Sequence, residues 1–243
     1  MIYDSFASVY SELMDDSLYE RWAEFVSSNT SPEQKTLLDV ACGTGDLSII
    51  LDNEFDVEGT DLSTSMLEIA EDKAKKANKN IKFEQGNMLD LYNFGKYDII
   101  TCFDDSICYL KDEDELYMAF KQSFEHLNEN GVYMFDAHSL YQMDEVFLDY
   151  MFNHKTEDSA FMWSSFEGDF EHSIEHELTF FNWNEEIGGY SVNTEVHKER
   201  TYPYEVFLQI LKDVGFKNIS ISSDFGKSND LENSTRWFFV AHK

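Results

Sequence analysis

Leu18, Trp22, Phe25 and Val26 recur at helical spacing behind a Ser17–Glu20 capping pair, and predict a first amphipathic helix. From there short apolar runs alternate with helical periods. They predict a strand at 37–41, a helix at 46–53, a strand at 55–60, a helix at 64–76, strands at 80–85 and 97–103, a helix at 112–127 and a strand at 131–136. Runs such as "YDIITCF" and "GVYMFD" lack polar alternation, as do strands of a parallel sheet covered on both faces by helices. After a helical stretch near 139–150 the period drops to two. Turn residues break it at Glu167-Gly168-Asp169 and at Gly188-Gly189, which predicts a three-stranded antiparallel meander within 155–202. A helix from Tyr204 to Val214, stopped by Gly215, and strands at 218–222 and 235–241 follow. The pattern is that of an α/β protein: a mostly parallel sheet flanked by helices, built from 1–138 and 203–243, with an inserted helix plus antiparallel β cap at 139–202.

One turn in this pattern carries chemistry. Residues 37–46 read "LLDVACGTGD", a strand that ends in glycines and gives way to a helix, so backbone N–H groups face open space and make a seat for a ligand. A dinucleotide fingerprint wants a third glycine, and Ser48 stands there instead. Asp61, 18 residues after Gly43, closes the second strand, where a carboxylate can accept from both hydroxyls of a ribose. From Thr36 through Asp72 there is no Lys or Arg, while Asp39 and Asp46 flank the glycines. Such a seat suits a cationic ligand better than a pyrophosphate.

Over the whole chain 48 acidic residues face 18 basic ones, a formal charge of −30 in 243 residues, which disfavours nucleic acid as a partner. Three cysteines without CxxC spacing fit a reducing compartment. The N-terminus lacks the basic start of a signal peptide, and no apolar run approaches the ~20 residues that span a bilayer. The expectation is a cytoplasmic protein away from membranes.

"LLDVACGTGDLSIIL", followed by "VEGTDLSTSMLEIA" and "FEQGNMLDL", resembles the first three motifs of class I S-adenosylmethionine-dependent methyltransferases. "YDSFASVYSELM" resembles the N-terminal segment of small bacterial members, and the likeness returns at "YEVFLQILKDVGF". The resemblance implies a Rossmann-like seven-stranded sheet whose last strand is antiparallel, and S-adenosylmethionine as cofactor. It assigns Asp39, Ala41, Gly43 and Gly45 to the methionine part, Asp61 to the ribose with Leu62 and Met66 beside it, and Asn87 and Met88 to the adenine. Tyr10 and Trp22 belong to a segment resembling a lid, which could equally staple the first helix to the core. Phe103 opens "FDDSICYL", which resembles a stretch where relatives often have D-S-x-N-Y-L; here Cys108 replaces the Asn.

Asp105 and His138 follow the ends of the fourth and fifth strands, where open α/β sheets place ligands, and are the candidates for acceptor chemistry. The alternatives are a helix cap and a loop residue. His172-Ser173-Ile174-Glu175-His176 matches an inverted zinc-protease signature. The alternation of Phe170, His172, Ile174, His176, Leu178 and Phe180 makes the segment a strand, on which the imidazoles stand ~13 Å apart at ~3.3 Å per residue, so no metal is expected. The aromatics Phe161, Trp163, Phe166 and Trp183 suit the insert's own core, a substrate wall or a homodimer contact. The reading is a methyltransferase acting on a small-molecule acceptor, with the meander capping the acceptor site. Two rivals stay open: an NAD-dependent oxidoreductase, and a non-catalytic sensor or scaffold that binds the cofactor with its methyl group walled off.

Overall fold

The computed structural model describes residues 16–156 and 159–243. In chain order the elements are α1 (Asp16–Ser28), β1 (Thr36–Val40), α2 (Asp46–Leu51), β2 (Asp56–Asp61), α3 (Thr64–Lys76), β3 (Lys82–Gln85), β4 (Tyr97–Cys102), α4 (Glu113–His126) and β5 (Leu127–His138). Then come β6 (Met151–Lys155), β7 (Ser159–Glu167), β8 (Ser173–Asn184), β9 (Gly189–Arg200), α5 (Tyr204–Val214), β10 (Lys217–Ser223) and β11 (Arg236–His242).

Seven strands form one sheet in the order β10-β11-β5-β4-β1-β2-β3. β11 runs antiparallel to both neighbours, while β5, β4, β1, β2 and β3 run parallel. Neighbouring residues of the unalternating runs go to opposite faces. Leu38, Ile100, Tyr133 and Phe135 join one core beneath α4 and α5, with Phe120, Phe207 and Leu211. Leu37, Ile99, Val132 and Met134 join the other beneath α1 and α2, with Trp22, Phe25, Val26 and Leu51. Burial on both faces is why these strands carry no polar alternation. Chain order reverses at β1, whose neighbours are β2 and β4, so the crevice for ligands lies beyond its C-terminal end.

The insert differs from the expected meander. Its sheet has four strands, β6-β7-β8-β9, all antiparallel. β6 is exposed along its whole length and so carries no apolar alternation; only its pairing with β7 makes it a strand. The helix expected near 139–150 shrinks to a π turn at Gln142–Val146. β8 begins at Ser173, and His172, expected within that strand, stands in the preceding turn with φ +57°. His138 is the last residue of β5, paired with Arg236 of β11, and so is not a loop residue.

Candidate active site

A cavity of about 740 Å³ opens beyond the C-terminal ends of β1, β2, β4 and β5 and runs under the inner face of the inserted sheet. That size falls among small-molecule sites. Its floor is the glycine turn. Ala41 has φ +57°, which costs an alanine about 1–2 kcal/mol, and Gly43 has φ +55°. A side chain on Gly43 would meet nothing within 4 Å, so its backbone borders open space that a ligand can approach closely. Gly45 serves packing instead. A Cβ there would come within 2.9 Å of Ala70 and 3.0 Å of Phe83, so this glycine lets α2 lie against α3, and it does not line the cavity.

Two carboxylates shape this floor. Asp61 accepts from the backbone N–H of Gly43 at 2.9 Å and of Ser63 at 2.8 Å, one on each oxygen, which leaves each oxygen a further lone pair. Burial raises its carboxyl despite these bonds. Asp39 accepts from Ser48 Oγ at 2.6 Å and Thr101 Oγ1 at 2.8 Å. Burial pushes it up to about 6, with the two hydroxyl bonds working against that rise. Asp46, by contrast, is turned away onto Lys73 Nζ at 2.6 Å and Thr44 Oγ1 at 2.6 Å. Its charge is met by the first lysine after the acidic stretch.

Trp22, Asp39, Ala41, Gly43, Asp61, Leu62, Met66, Asn87, Met88 and Phe103 all line the cavity. Asn87 Oδ1 accepts from Leu89 N at 2.9 Å, a bond that fixes the direction of its amide. Tyr10 lies outside the described residues.

At the other end, Asp104 and Asp105 follow β4 with φ +55° and +51°. Successive non-glycine residues in the left-handed region are a strain that persists only where the surroundings hold it. Here Arg236 does so: its Nη2 lies 2.5 Å from Asp105 Oδ1, and its Nη1 lies 2.9 Å from Asp136 Oδ2. Asp136, fully buried, also accepts from Trp22 Nε1 at 2.7 Å and Asp105 N at 2.8 Å, which joins α1 to the strand ends. His138 Nε2 stands 3.3 Å from Asp105 Oδ1 and 3.6 Å from Glu199 Oε2. Burial would raise the Asp105 carboxyl, but the charges of His138 and Arg236 outweigh it and hold the group below the usual carboxylate range. Burial would lower His138, and Asp105 outweighs that and raises it.

The insert supplies the roof. Tyr109 Oη meets His197 Nδ1 at 2.9 Å, and Thr201 Oγ1 donates to the His138 carbonyl at 2.6 Å, so β9 is tied to the strand ends. His176, His197 and Glu199 are inward positions of β8 and β9, buried beside Leu178 and Trp163 on the cavity wall. His172 does not share this place; it bonds Asp144 at 2.8 Å, so the two histidines of the zinc-like pattern have separate partners.

Comparison with known proteins decides between the ligands. A family model described as a methyltransferase domain matches residues 37–131. A proposed methyltransferase of Geobacillus sp. (strain WCH70) is 40% identical over all of this chain and all of its own length. The chain belongs to the class I S-adenosylmethionine-dependent methyltransferases. A crystal structure of an S-adenosylmethionine-dependent methyltransferase from Clostridium acetobutylicum ATCC 824 matches it with a TM-score of 0.85 at 28% identity, over 99% of this chain and 98% of the other. The sugar N-methyltransferase KedS8 from Streptoalloteichus sp ATCC 53650 matches with a TM-score of 0.79 at 25% identity, over 100% and 93%. The protein is thus an enzyme whose cofactor is S-adenosylmethionine, and the nicotinamide reading falls. The open cavity between the glycine turn and the insert is also the feature expected of an enzyme rather than of a sensor with a walled-off methyl group.

Sequence reasoning about this methyltransferase missed Arg236, His197 and Glu199, and weighed His176 only as a metal ligand. A signal existed for His176 alone, a polar residue in step with Ile174, Leu178 and Phe180 on the apolar face of a strand.

Proposed function

We propose that the enzyme methylates a small molecule held between the ends of β4 and β5 and the inserted sheet, with segment 139–202 acting as its cap. The observation that carries this reading is one cavity lined at its floor by Gly43 and Asp61 and at its roof by His176 and Glu199. The sugar N-methyltransferase likeness supports a small-molecule acceptor, and the charge of −30 speaks against nucleic acid.

In this reading the Gly43 turn receives the methionine part of the cofactor, Asp61 its ribose with Leu62 and Met66 beside it, and Asn87 and Met88 its adenine end, with Trp22 and Phe103 on the same cavity. The cofactor supplies an electrophilic methyl group on a cationic sulfur. The chain's own contribution is orientation and exclusion of water. His138 faces the acceptor, and Asp105, locked by Arg236, fixes the ring through Nε2. The three cysteines are free, which supports a cytoplasmic setting, and no helix among the described residues is long and apolar enough to cross a membrane. The exposed face of the insert carries Met162, Phe166, Val192 and Val196, and in this reading pairs with a second copy; light scattering of the purified protein tests it.

Thermal denaturation tests the reading as a whole. S-adenosylmethionine and S-adenosylhomocysteine are expected to raise the Tm while NAD and NADP leave it unchanged, since a ligand that binds only the native state stabilises it by mass action. Stabilisation by NAD alone would overturn it.

A further inference from the structure

The roof of the cavity holds polar atoms that the mechanism so far leaves unused. Glu199 is 95% buried by its 5% exposure, and its Oε2 has no hydrogen-bond partner among the described residues; neither has His138 Nδ1 or His176 Nε2. An unpaired buried carboxylate oxygen is costly, and a site that keeps one is shaped for a donor that arrives from outside.

The state of His176 follows from its neighbours. Its Nδ1 lies 3.0 Å from Trp163 Nε1 and 2.7 Å from Ser165 Oγ. The same indole N–H lies 3.0 Å from Ser165 Oγ, and with that donor shared between Oγ and Nδ1 the tautomer that carries its proton on Nε2 fits the cluster. That imidazole N–H faces Glu199 Oε1 at 3.7 Å, and His138 Nε2 faces Glu199 Oε2 at 3.6 Å. Both separations exceed a hydrogen bond. The carboxylate is therefore flanked by two imidazoles and bonded by neither.

We infer that Glu199 is the acceptor-binding group of this enzyme, and that it takes the N–H of an amine carried on an apolar, phosphate-free body. The inference rests on the proposed seat of the acceptor under the insert. An amine suits a carboxylate because it arrives as an ammonium that pairs with Glu199, and freeing its lone pair for attack means losing one mildly acidic proton, which needs no strong base. A hydroxyl would, since its proton is far too weakly acidic for a carboxylate to remove. The proton lost before attack passes to Glu199; after transfer the nitrogen carries the positive charge that sulfur has given up, and the electron pair of the broken bond stays on sulfur. Phe147, Tyr150, Phe161, Trp163 and Leu178 line the same end and would enclose the apolar body. Arg236 is the one Lys or Arg among the described residues that line the cavity, and Asp104, Asp105 and Asp136 already engage it, so nothing there receives a phosphate. Asp105, His138 and Glu199 also stand close enough to share a metal ion, but the guanidinium on Asp105 opposes a second cation at that oxygen. His176 is a positioning residue that holds its N–H toward Glu199.

Calorimetry on the protein loaded with S-adenosylhomocysteine tests this, with phenethylamine, 2-phenylethanol and thymidine diphosphate as probes. The amine is expected to bind about tenfold or more tightly than the alcohol, the fold-change of a charge-assisted bond, and the diphosphate not to bind. Glu199→Gln should erase the preference with affinity for S-adenosylhomocysteine unchanged. His176→Gln, which keeps an N–H, should retain it, and His176→Leu should lose it. Equal binding of amine and alcohol to the wild type would overturn the inference without any variant. So would an unchanged preference in Glu199→Gln, or loss of amine binding on adding EDTA, which would give the three residues to a metal. Failure of S-adenosylhomocysteine to bind at all would instead defeat the reading on which the inference rests.

Discussion

The two ends of the cavity are built on different terms. At the floor, Asp39 and Asp61 are satisfied by groups close in the chain or on the next strand, and Thr60 Oγ1 is the one buried side-chain polar atom there without a partner among the described residues. At the roof, His138, His176 and Glu199 all keep an unpaired polar atom, and they come from three strands of two sheets. A seat made mostly of backbone serves one ligand that never changes; a seat made of side chains can be re-lettered for each acceptor. The difference teaches where to look for specificity in this enzyme: on β8 and β9, not in the glycine turn.

The largest effect is expected from cutting the joint between the ends. Arg236→Met leaves the fully buried Asp136 without its counter-charge and Asp105 with His138 alone, and breaking a buried pair in this way costs about 3–5 kcal/mol. Urea unfolding should show that loss, and a change under about 1 kcal/mol would mean the network does not hold the strand ends together.

A second test acts on the roof alone. With an acceptor found by a labelled-cofactor screen, His138→Ala should lower turnover by roughly 10²-fold or more and leave the affinity for S-adenosylhomocysteine unchanged. If both fall together, floor and roof are not separable.

The ends should also separate by pH. Asp39 sits at about 6 in the fold, above the ~3.9 of an unfolded chain, so between those values the native state keeps a proton that the unfolded state has released. Asp39 therefore contributes a fall in stability as pH rises from about 4 to 6, on the order of 2–3 kcal/mol, and Asp39→Asn should remove that share of the slope and leave the part due to Asp61, which burial also raises. His138 is raised, so its contribution is full below its unfolded value near ~6.5 and is lost as pH rises through the higher folded value. His138→Ala should flatten the upper window and not the lower. Matching slopes in wild type and variants would contradict the assignment.

The smallest effect belongs to Asp46→Ala. Its ion pair with Lys73 is partly exposed, so stability should change by less than about 1 kcal/mol and cofactor affinity little.

These contrasts also explain what the sequence could say. The glycine turn, Asp61 at the end of the second strand and the succession of strands and helices along the chain were legible because each is written locally, in a φ requirement, a strand end or an apolar run. Gly45 was legible as a glycine but not as a packing contact with Ala70 and Phe83, because those partners stand 25 and 38 residues away in the numbering. Asp46 looked like part of a cation seat because Lys73 lies just beyond the acidic stretch and reaches back across a helix. β6 was invisible because a strand exposed on both faces has no period. Glu199 stood in a run of charges, "HKER", and only the register of β9 against β8 turns it inward.

The central claim is that the floor is a seat for S-adenosylmethionine with Asp61 as its ribose ligand. Calorimetry of S-adenosylhomocysteine against wild type and Asp61→Ala tests it most directly. On the proposed reading the Asp61 carboxylate bonds both ribose hydroxyls while it holds the Gly43 turn, so its removal should weaken binding by roughly 10- to 150-fold, the equivalent of about 1.5–3 kcal/mol. Equal affinity in the two proteins would contradict the account.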